Sequence, residues 1–209
     1  MPTFEEYKKI VDENLDRFIK VQYPQEIFDS MRYSVLADGK RLRPVMVLES
    51  CNMFLGSYEN AIPTACALEM LHAQSLIHDD LPCMDNDDFR RGKPSNHKVF
   101  GEANAVLAGD ALLTFAPQLI IEKSELPSDI ILNVVHEFMK WAGAYALIAG
   151  QVVDIESEGG KFVKAPNETL NFIHLNKTGA LFRLAMRSGA IIANAGSDVI
   201  DEIDVFAQK

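Results

Sequence analysis

Cysteine is scarce in this chain: Cys51, Cys66 and Cys83 are the only three. An odd number at these spacings supports neither a disulfide framework nor a zinc site. Long apolar runs are also missing. Arg183 and Arg187 interrupt the most hydrophobic late stretch, so no segment is expected to span a bilayer. The opening residues, Met-Pro-Thr-Phe-Glu-Glu, show neither a basic-then-apolar signal nor an Arg-rich presequence, which makes a cytoplasmic location the expectation. Positive charge is in deficit, with 20 Lys and Arg against 30 Asp and Glu and a formal net charge of −10. That balance argues against a nucleic-acid partner, whose phosphate backbone calls for a basic surface. Alternating β-branched runs, internal repeats, low-complexity tracts and any Ser-His-Asp or Cys-His arrangement are absent as well.

What is present is a chain of helical patterns. With 209 residues and a 48% hydrophobic fraction, there is enough apolar material for one good core without a second domain. Phe4, Tyr7, Ile10, Val11, Leu15, Phe18 and Ile19 recur at helical spacing over 4–20. Further helices are expected from Pro24 to Leu36, Arg43 to Leu55, and Pro63 to the stop at Pro82. Residues 82–98, rich in Pro, Gly and Asn, read as an ordered loop. Helices follow over Glu102–Glu122, over Ser128–Ile148 with Ser128 as N-cap, and from Glu168 to Ser188. A short apolar helix and a last segment from Ser197 and Asp198 complete the count, and Ser157–Pro166 reads as a loop. The expected architecture is all-α, a single domain of roughly nine helices.

Two basic knots, Lys40-Arg41-Arg43 and Arg90-Arg91-Lys93, stand out in so acidic a chain and suggest small phosphorylated ligands. The densest constellation is HDDLPCMDNDDFRRGKPSNH, His78 to His97. Asp79 and Asp80 fall at the end of an apolar helix, with Asp85, Asp87 and Asp88 just beyond. Negative charge is unfavourable at a helix C-terminus, and clustered carboxylates repel one another unless a hard divalent cation neutralises them. Mg2+, held through oxygen ligands and shared with a substrate phosphate, is the fitting ion. Arg90 and Arg91 add planar forks suited to phosphate oxygens. His72, seven residues before Asp79, lies on the same helix face.

These motifs resemble the trans-prenyl diphosphate synthases of the short-chain farnesyl and geranylgeranyl type. DDLPCMD looks like that family's first aspartate-rich motif, and GKRLRP (39–44) is similar to its isopentenyl diphosphate-binding motif. GKPSNHKVFGEANAVLAGDALL (92–113), GQVVD (150–154) and KTGALF (177–182) follow in the family's order. The resemblance covers nearly the whole chain and implies a helical bundle of the isoprenoid synthase type around a central cavity. It also implies a magnesium-dependent prenyltransferase that joins isopentenyl diphosphate to allylic diphosphates, with a homodimer as the assembly. Carried over position by position, Asp79 and Asp85, with Asp80 supporting, would hold Mg2+ against the allylic diphosphate. Arg90, Lys177 and Gln151 would contact that diphosphate, and Thr178 would lie beside the reacting carbon. Lys40, Arg43, His72 and Arg91 would bind isopentenyl diphosphate. The released diphosphate would take the proton lost after condensation. Gln74 and Ser75, five and four positions before Asp79, are not aromatic, which in this family points to the twenty-carbon geranylgeranyl product over farnesyl.

The family also carries a second aspartate-rich motif, so residues 1–209 are expected to be a synthase domain truncated before it. A class I terpene cyclase would share the helices and the acidic site, but GKRLRP and Arg90-Arg91 argue against it. His78-Asp79 alone would suit a metal phosphohydrolase, yet further histidine ligands are missing. The remaining alternative is a non-catalytic synthase-like subunit; intact Asp79, Asp80, Asp85, Arg90, Arg91 and Lys177 weigh against such decay.

Overall fold

The computed structural model describes residues 2–160 and 165–208. In chain order the elements are α1 (Phe4–Phe18), α2 (Gln25–Val35), α3 (Leu42–Leu55), α4 (Ile62–Asp79), β1 (Phe89–Arg90), β2 (Lys93–Pro94), α5 (Asn96–Phe100) and α6 (Glu102–Lys123). They continue with α7 (Ser128–Ala142), α8 (Leu147–Glu158), α9 (Pro166–Ile173), a π-helical turn (His174–Thr178), α10 (Gly179–Ile192) and α11 (Ser197–Ala207). The all-α expectation holds. The described residues cluster into two compact units, one of residues 1–45 and 62–123, the other of residues 46–61 and 124–209.

In the first unit, α1 starts in a capping box: the Thr3 side chain accepts from the Glu6 amide, and Glu6 accepts from the Thr3 amide. Both donors would otherwise be orphaned at the helix start. Its buried stripe is Tyr7, Val11, Leu15 and then Ile19, the i, i+4 spacing of a helix lying on a core. α4 is buried all round from Pro63 to Leu71 and packs chiefly on α6. α6 is an exception to the expectation about membrane-length segments. Its 22 residues are long and apolar enough to cross a bilayer by length and composition. Here Ala105, Ala108, Leu112, Ala116 and Leu119 are buried, a one-sided stripe in helix packing.

The 82–98 loop is more ordered than its composition suggests. Phe89–Arg90 pairs antiparallel with Lys93–Pro94 across a two-residue turn in which Arg91 and Gly92 take φ of 52° and 76°, the double left-handed signature of a type I′ hairpin. Asn or Asp normally opens such a turn, and Arg in that place hides it from sequence. Tyr33 of α2 donates to the Pro94 carbonyl at 2.8 Å. Asn96 donates to the Ser30 carbonyl and the Ser34 hydroxyl, both at 2.9 Å. Those bonds fasten the hairpin and α5 to α2.

In the second unit, Met186, Ala190 and Ile203 form a core against Met46 and Ile200. The expected 128–148 helix breaks at Gly143, which is extended (φ −84°, ψ −171°), and α8 starts four residues later. Ser128 does not cap α7; Pro127 holds that position, with no side-chain hydrogen bond. The Glu168–Ser188 helix is three pieces, because the π-helical turn interrupts it, and α10 absorbs the expected short apolar helix. With α5 added, the described residues hold eleven α-helices instead of nine. Residues 161–164 of the expected Ser157–Pro166 loop lie outside the described residues.

Candidate functional site

In the first unit, α4 runs into the acidic cluster and Pro82 ends it. The chain then folds back, so that the Asp85 amide donates to the Asp79 carbonyl at 2.9 Å and the Asn86 amide to the Leu81 carbonyl at 3.1 Å. That closure brings Asp85 onto the helix end beside Asp79. Asp79 and Asp80 are buried and Asp85 is exposed. Arg90, leaning from the hairpin, binds Asp80 through Nη2 and through Nε at 2.8 Å, and reaches Asp87 at 3.2 Å. Burial pushes the Asp80 carboxyl above its ordinary range even against the pull of Arg90, and repulsion from Asp87 and Asp79 adds to the rise. Among the described residues, no three carboxylates or imidazoles already meet as a metal-binding group. Mg2+ needs only one or two carboxylates when waters and a substrate phosphate complete its shell. An all-oxygen cluster of aspartates therefore fits that ion.

Further back on α4, the basic residues converge. Arg43 stands 3.4 Å from His72, Nη1 to Nε2. With Arg as the donor, the neutral imidazole carries its proton on Nδ1. Burial, then Arg43, Arg91, Arg41 and Arg90 in turn, push the His72 pKa down to about 3. Lys40 is exposed and makes no ion pair among the described residues. Arg41, the central member of its knot, is 4% exposed and bound to Asp12 and Glu69, so it is part of the frame and cannot be a ligand. Arg91 approaches Glu69 at 3.6 Å. The structure thus gathers Arg43, His72 and Arg91 in one place, two helical turns from Asp79.

In the second unit, Lys177 sits in the π-helical turn and its Nζ lies 2.6 Å from Asp154 Oδ2 on α8. Gln151, half-buried, is one turn before Asp154 on the same helix face. A β-carbon on Gly150 would overlap the Lys177 backbone, so glycine permits α8 and the turn to touch. π-helical insertions recur at functional sites because they re-aim side chains out of register. Thr178 is exposed at the end of the turn. Lys177, Gln151 and Asp154 are thereby brought together.

Two residues escaped the sequence reading. Glu69 was hidden in the apolar run PTACALEMLHAQ, where its charge was itself the signal. Asp154 closes GQVVD, three residues after Gln151, and carries the carboxylate for Lys177. His78, the only link to a phosphohydrolase, is held by Gln74 at 3.1 Å and by the Val106 carbonyl at 3.1 Å, outside any metal cluster among the described residues.

A family model described as polyprenyl synthetase matches residues 24–209. The chain is 47% identical to a geranylgeranyl diphosphate synthase of Cyanophora paradoxa over 98% of its own length and 68% of the relative's. It is 49% identical to a chloroplastic geranylgeranyl pyrophosphate synthase of Catharanthus roseus, over 95% of this chain and 55% of that one. Among solved structures, an FPP/GFPP synthase from Zymomonas mobilis superposes with a TM-score of 0.92 at 34% identity, covering 98% of this chain and 74% of the other. The chain therefore spans only part of the length of the proteins it matches.

Proposed function

The chain belongs to the polyprenyl synthetase family, and from that premise we propose that it carries the substrate-binding part of a short-chain prenyltransferase. In the proposed reaction, the carbon–oxygen bond of an allylic diphosphate breaks and diphosphate leaves. The double bond of isopentenyl diphosphate forms a carbon–carbon bond to the resulting cation, and a proton is lost to the departing diphosphate. The observation that carries this reading is the layout of α4: a carboxylate cluster at its end, and, two turns earlier on the same side, His72 among arginines.

Asp79 and Asp85, with Asp80 supporting, would hold Mg2+. When bound, the ion supplies positive charge where the leaving diphosphate becomes more negative. Arg90, Lys177 and Gln151 would bind the allylic diphosphate, and electrostatic stabilisation of a leaving group is worth most where water is excluded. Lys40, Arg43, His72 and Arg91 would orient isopentenyl diphosphate, and Thr178 would lie beside the reacting carbon. Gln74 is occupied with His78, and Ser75 turns back to the His72 carbonyl at 2.9 Å. Neither projects an aromatic ring to stop the growing chain, which favours a twenty-carbon product. A homodimer is the proposed assembly, for which α6 offers exposed Val106, Leu107 and Ile121.

The test is a condensation assay on the full-length protein with dimethylallyl and isopentenyl diphosphates. Geranylgeranyl diphosphate should form with Mg2+ and not after chelation. Farnesyl diphosphate as the main product would sink the chain-length assignment. No condensation at all would favour a non-catalytic subunit.

A further inference from the structure

Glu69 is an anomaly inside the first unit. Its side chain lies in the middle of α4 with 1% exposure, where an unpaired carboxylate would be very costly. Two arginines from separate loops converge on its Oε1: Arg41 through Nη1, and Arg91 through Nη2 at 3.6 Å. Both arginines adopt φ of 52°, a left-handed conformation that residues with a β-carbon rarely take. Side-chain residues hold such a conformation when the surroundings over-determine it. The two positions share the Glu69 carboxylate and the Ala37 carbonyl, and at Arg91 the hairpin turn itself also requires the left-handed conformation.

The two arginines differ in what they have left to offer. Arg41 spends its remaining donors on Asp12 at 2.7 Å and on the carbonyls of Val35 and Ala37 at 2.9 Å each. Among the described residues, Arg91 makes only the longer approach to Glu69 and a 3.4 Å bond to Ala37. Its guanidinium rests against Gly39, where an added β-carbon would stand 2.8 to 3.2 Å from three guanidinium atoms. Arg41 is therefore a fixed strut, and Arg91 is a cation aimed by its neighbours with donors to spare.

We infer that Glu69 is a positioning residue for isopentenyl diphosphate: braced by Arg41 and with Gly39 as a floor, it sets the Arg91 guanidinium in the orientation that receives the diphosphate. The inference rests on the substrate assignment proposed above. Glu69 touches no reacting atom and acts through Arg91. A planar fork gains from being set before the ligand arrives, since misplacement by about 1 Å can cost a hundredfold.

The experiment is steady-state kinetics on full-length Glu69→Gln, with KM for isopentenyl diphosphate and for the allylic diphosphate measured separately. KM for isopentenyl diphosphate should rise at least about tenfold, while the allylic KM and kcat at saturation stay within about threefold. Gly39→Ala, which leaves Glu69 and Arg41 untouched, should give the same selective rise, and it decides the matter alone if Glu69→Gln does not fold. In an Arg91→Ala background, Glu69→Gln should add nothing, because the two act as one unit. An unchanged KM for isopentenyl diphosphate overturns the inference. So does a parallel rise in both KM values, or effects of Glu69→Gln and Arg91→Ala that multiply. If the wild type does not condense, the proposed function itself has failed. Calorimetric titration of inorganic pyrophosphate then reads the same positioning: weaker binding to Gly39→Ala and Glu69→Gln supports it, and equal binding overturns it.

Discussion

The two units each set arginines against carboxylates, and the outcomes are opposite. In the second unit, Arg187 donates to both oxygens of Glu137, at 2.7 and 3.1 Å. Arg183 forks onto Asp204 at 2.7 and 2.5 Å with its guanidinium 4.1 Å above the Trp141 ring, and the indole N–H donates to Glu137 at 2.8 Å. Burial alone would raise the Glu137 carboxyl, but Arg187 and Trp141 outweigh it and hold the group below its ordinary range. Asp204 is likewise lowered by Arg183 against burial. In the first unit the net shift has the other sign: burial keeps Asp80 raised although Arg90 grips it, and Asp87 and Asp79 add a smaller repulsion. The same residue types build a clasp whose carboxyls are held low in one unit and a site whose Asp80 carboxyl stays high in the other. What marks the first site is a carboxyl that its arginine partner does not pull below the ordinary range.

The sharpest way to break that contrast is to remove one charge from each side. Asp79→Ala should lower condensation by about a thousandfold, the scale expected when leaving-group stabilisation is lost. Its stability should stay within about 1 kcal/mol of wild type, since negative charge at a helix C-terminus is unfavourable to begin with. Thermal melts beside the assay check this. An activity loss matched by unfolding would make the cluster structural, as in the other unit.

Glu137→Ala should do the reverse. Leaving Arg187 without its buried partner should cost about 3 kcal/mol, roughly 10 °C in Tm for a chain of this size. At 25 °C, kcat/KM of the folded variant should match wild type. The pH dependence follows the same logic. Glu137 and Asp204 have folded pKa values below their unfolded ones, so their contribution is present above about pH 4 and is lost as pH falls through the folded values. Urea midpoints measured from pH 6 to pH 3 should fall steeply for wild type and less steeply for Glu137→Ala. Parallel curves would mean the clasp does not govern acid stability.

That contrast was only half legible in the sequence. The acidic run and the two basic knots could be read because clustered like charge has no structural reason to persist at a helix end. Helix existence was legible from periodicity in α1 and from proline punctuation in α2 and α4. Boundaries failed where local chemistry overrides periodicity: Gly143 breaks an apolar pattern that looks continuous, and the π-helical turn leaves no mark on hydropathy. The hairpin was invisible because Arg91 occupies a place that Asn or Asp signals. Arg183 and Arg187 registered only as interruptions of an apolar stretch, since their partners lie 21 and 50 residues away. Glu69 and Asp154 were missed for the same reason, their cations being remote in the chain.

His72 gives the finest test of the first unit, because there the expected effect is close to nothing. Burial and the surrounding arginines hold its pKa down to about 3, far below the roughly 6.5 of a free imidazole. The unfolded chain therefore takes the proton first. The stability His72 contributes is complete above about pH 6.5 and is lost as pH falls toward the folded value. In the functional range the ring stays neutral and serves as a fixed hydrogen-bonding group beside Arg43. A glutamine amide can do the same, so His72→Gln should change kcat/KM for isopentenyl diphosphate by less than about threefold, and the two pH profiles should superimpose from pH 6 to 8. Because kcat/KM reports ionisations of the free enzyme, a wild-type step near pH 6.5 that vanishes in His72→Gln would show a titrating imidazole. The arginines that lower its pKa would then be neutralised from elsewhere, and the contrast between the two units would weaken.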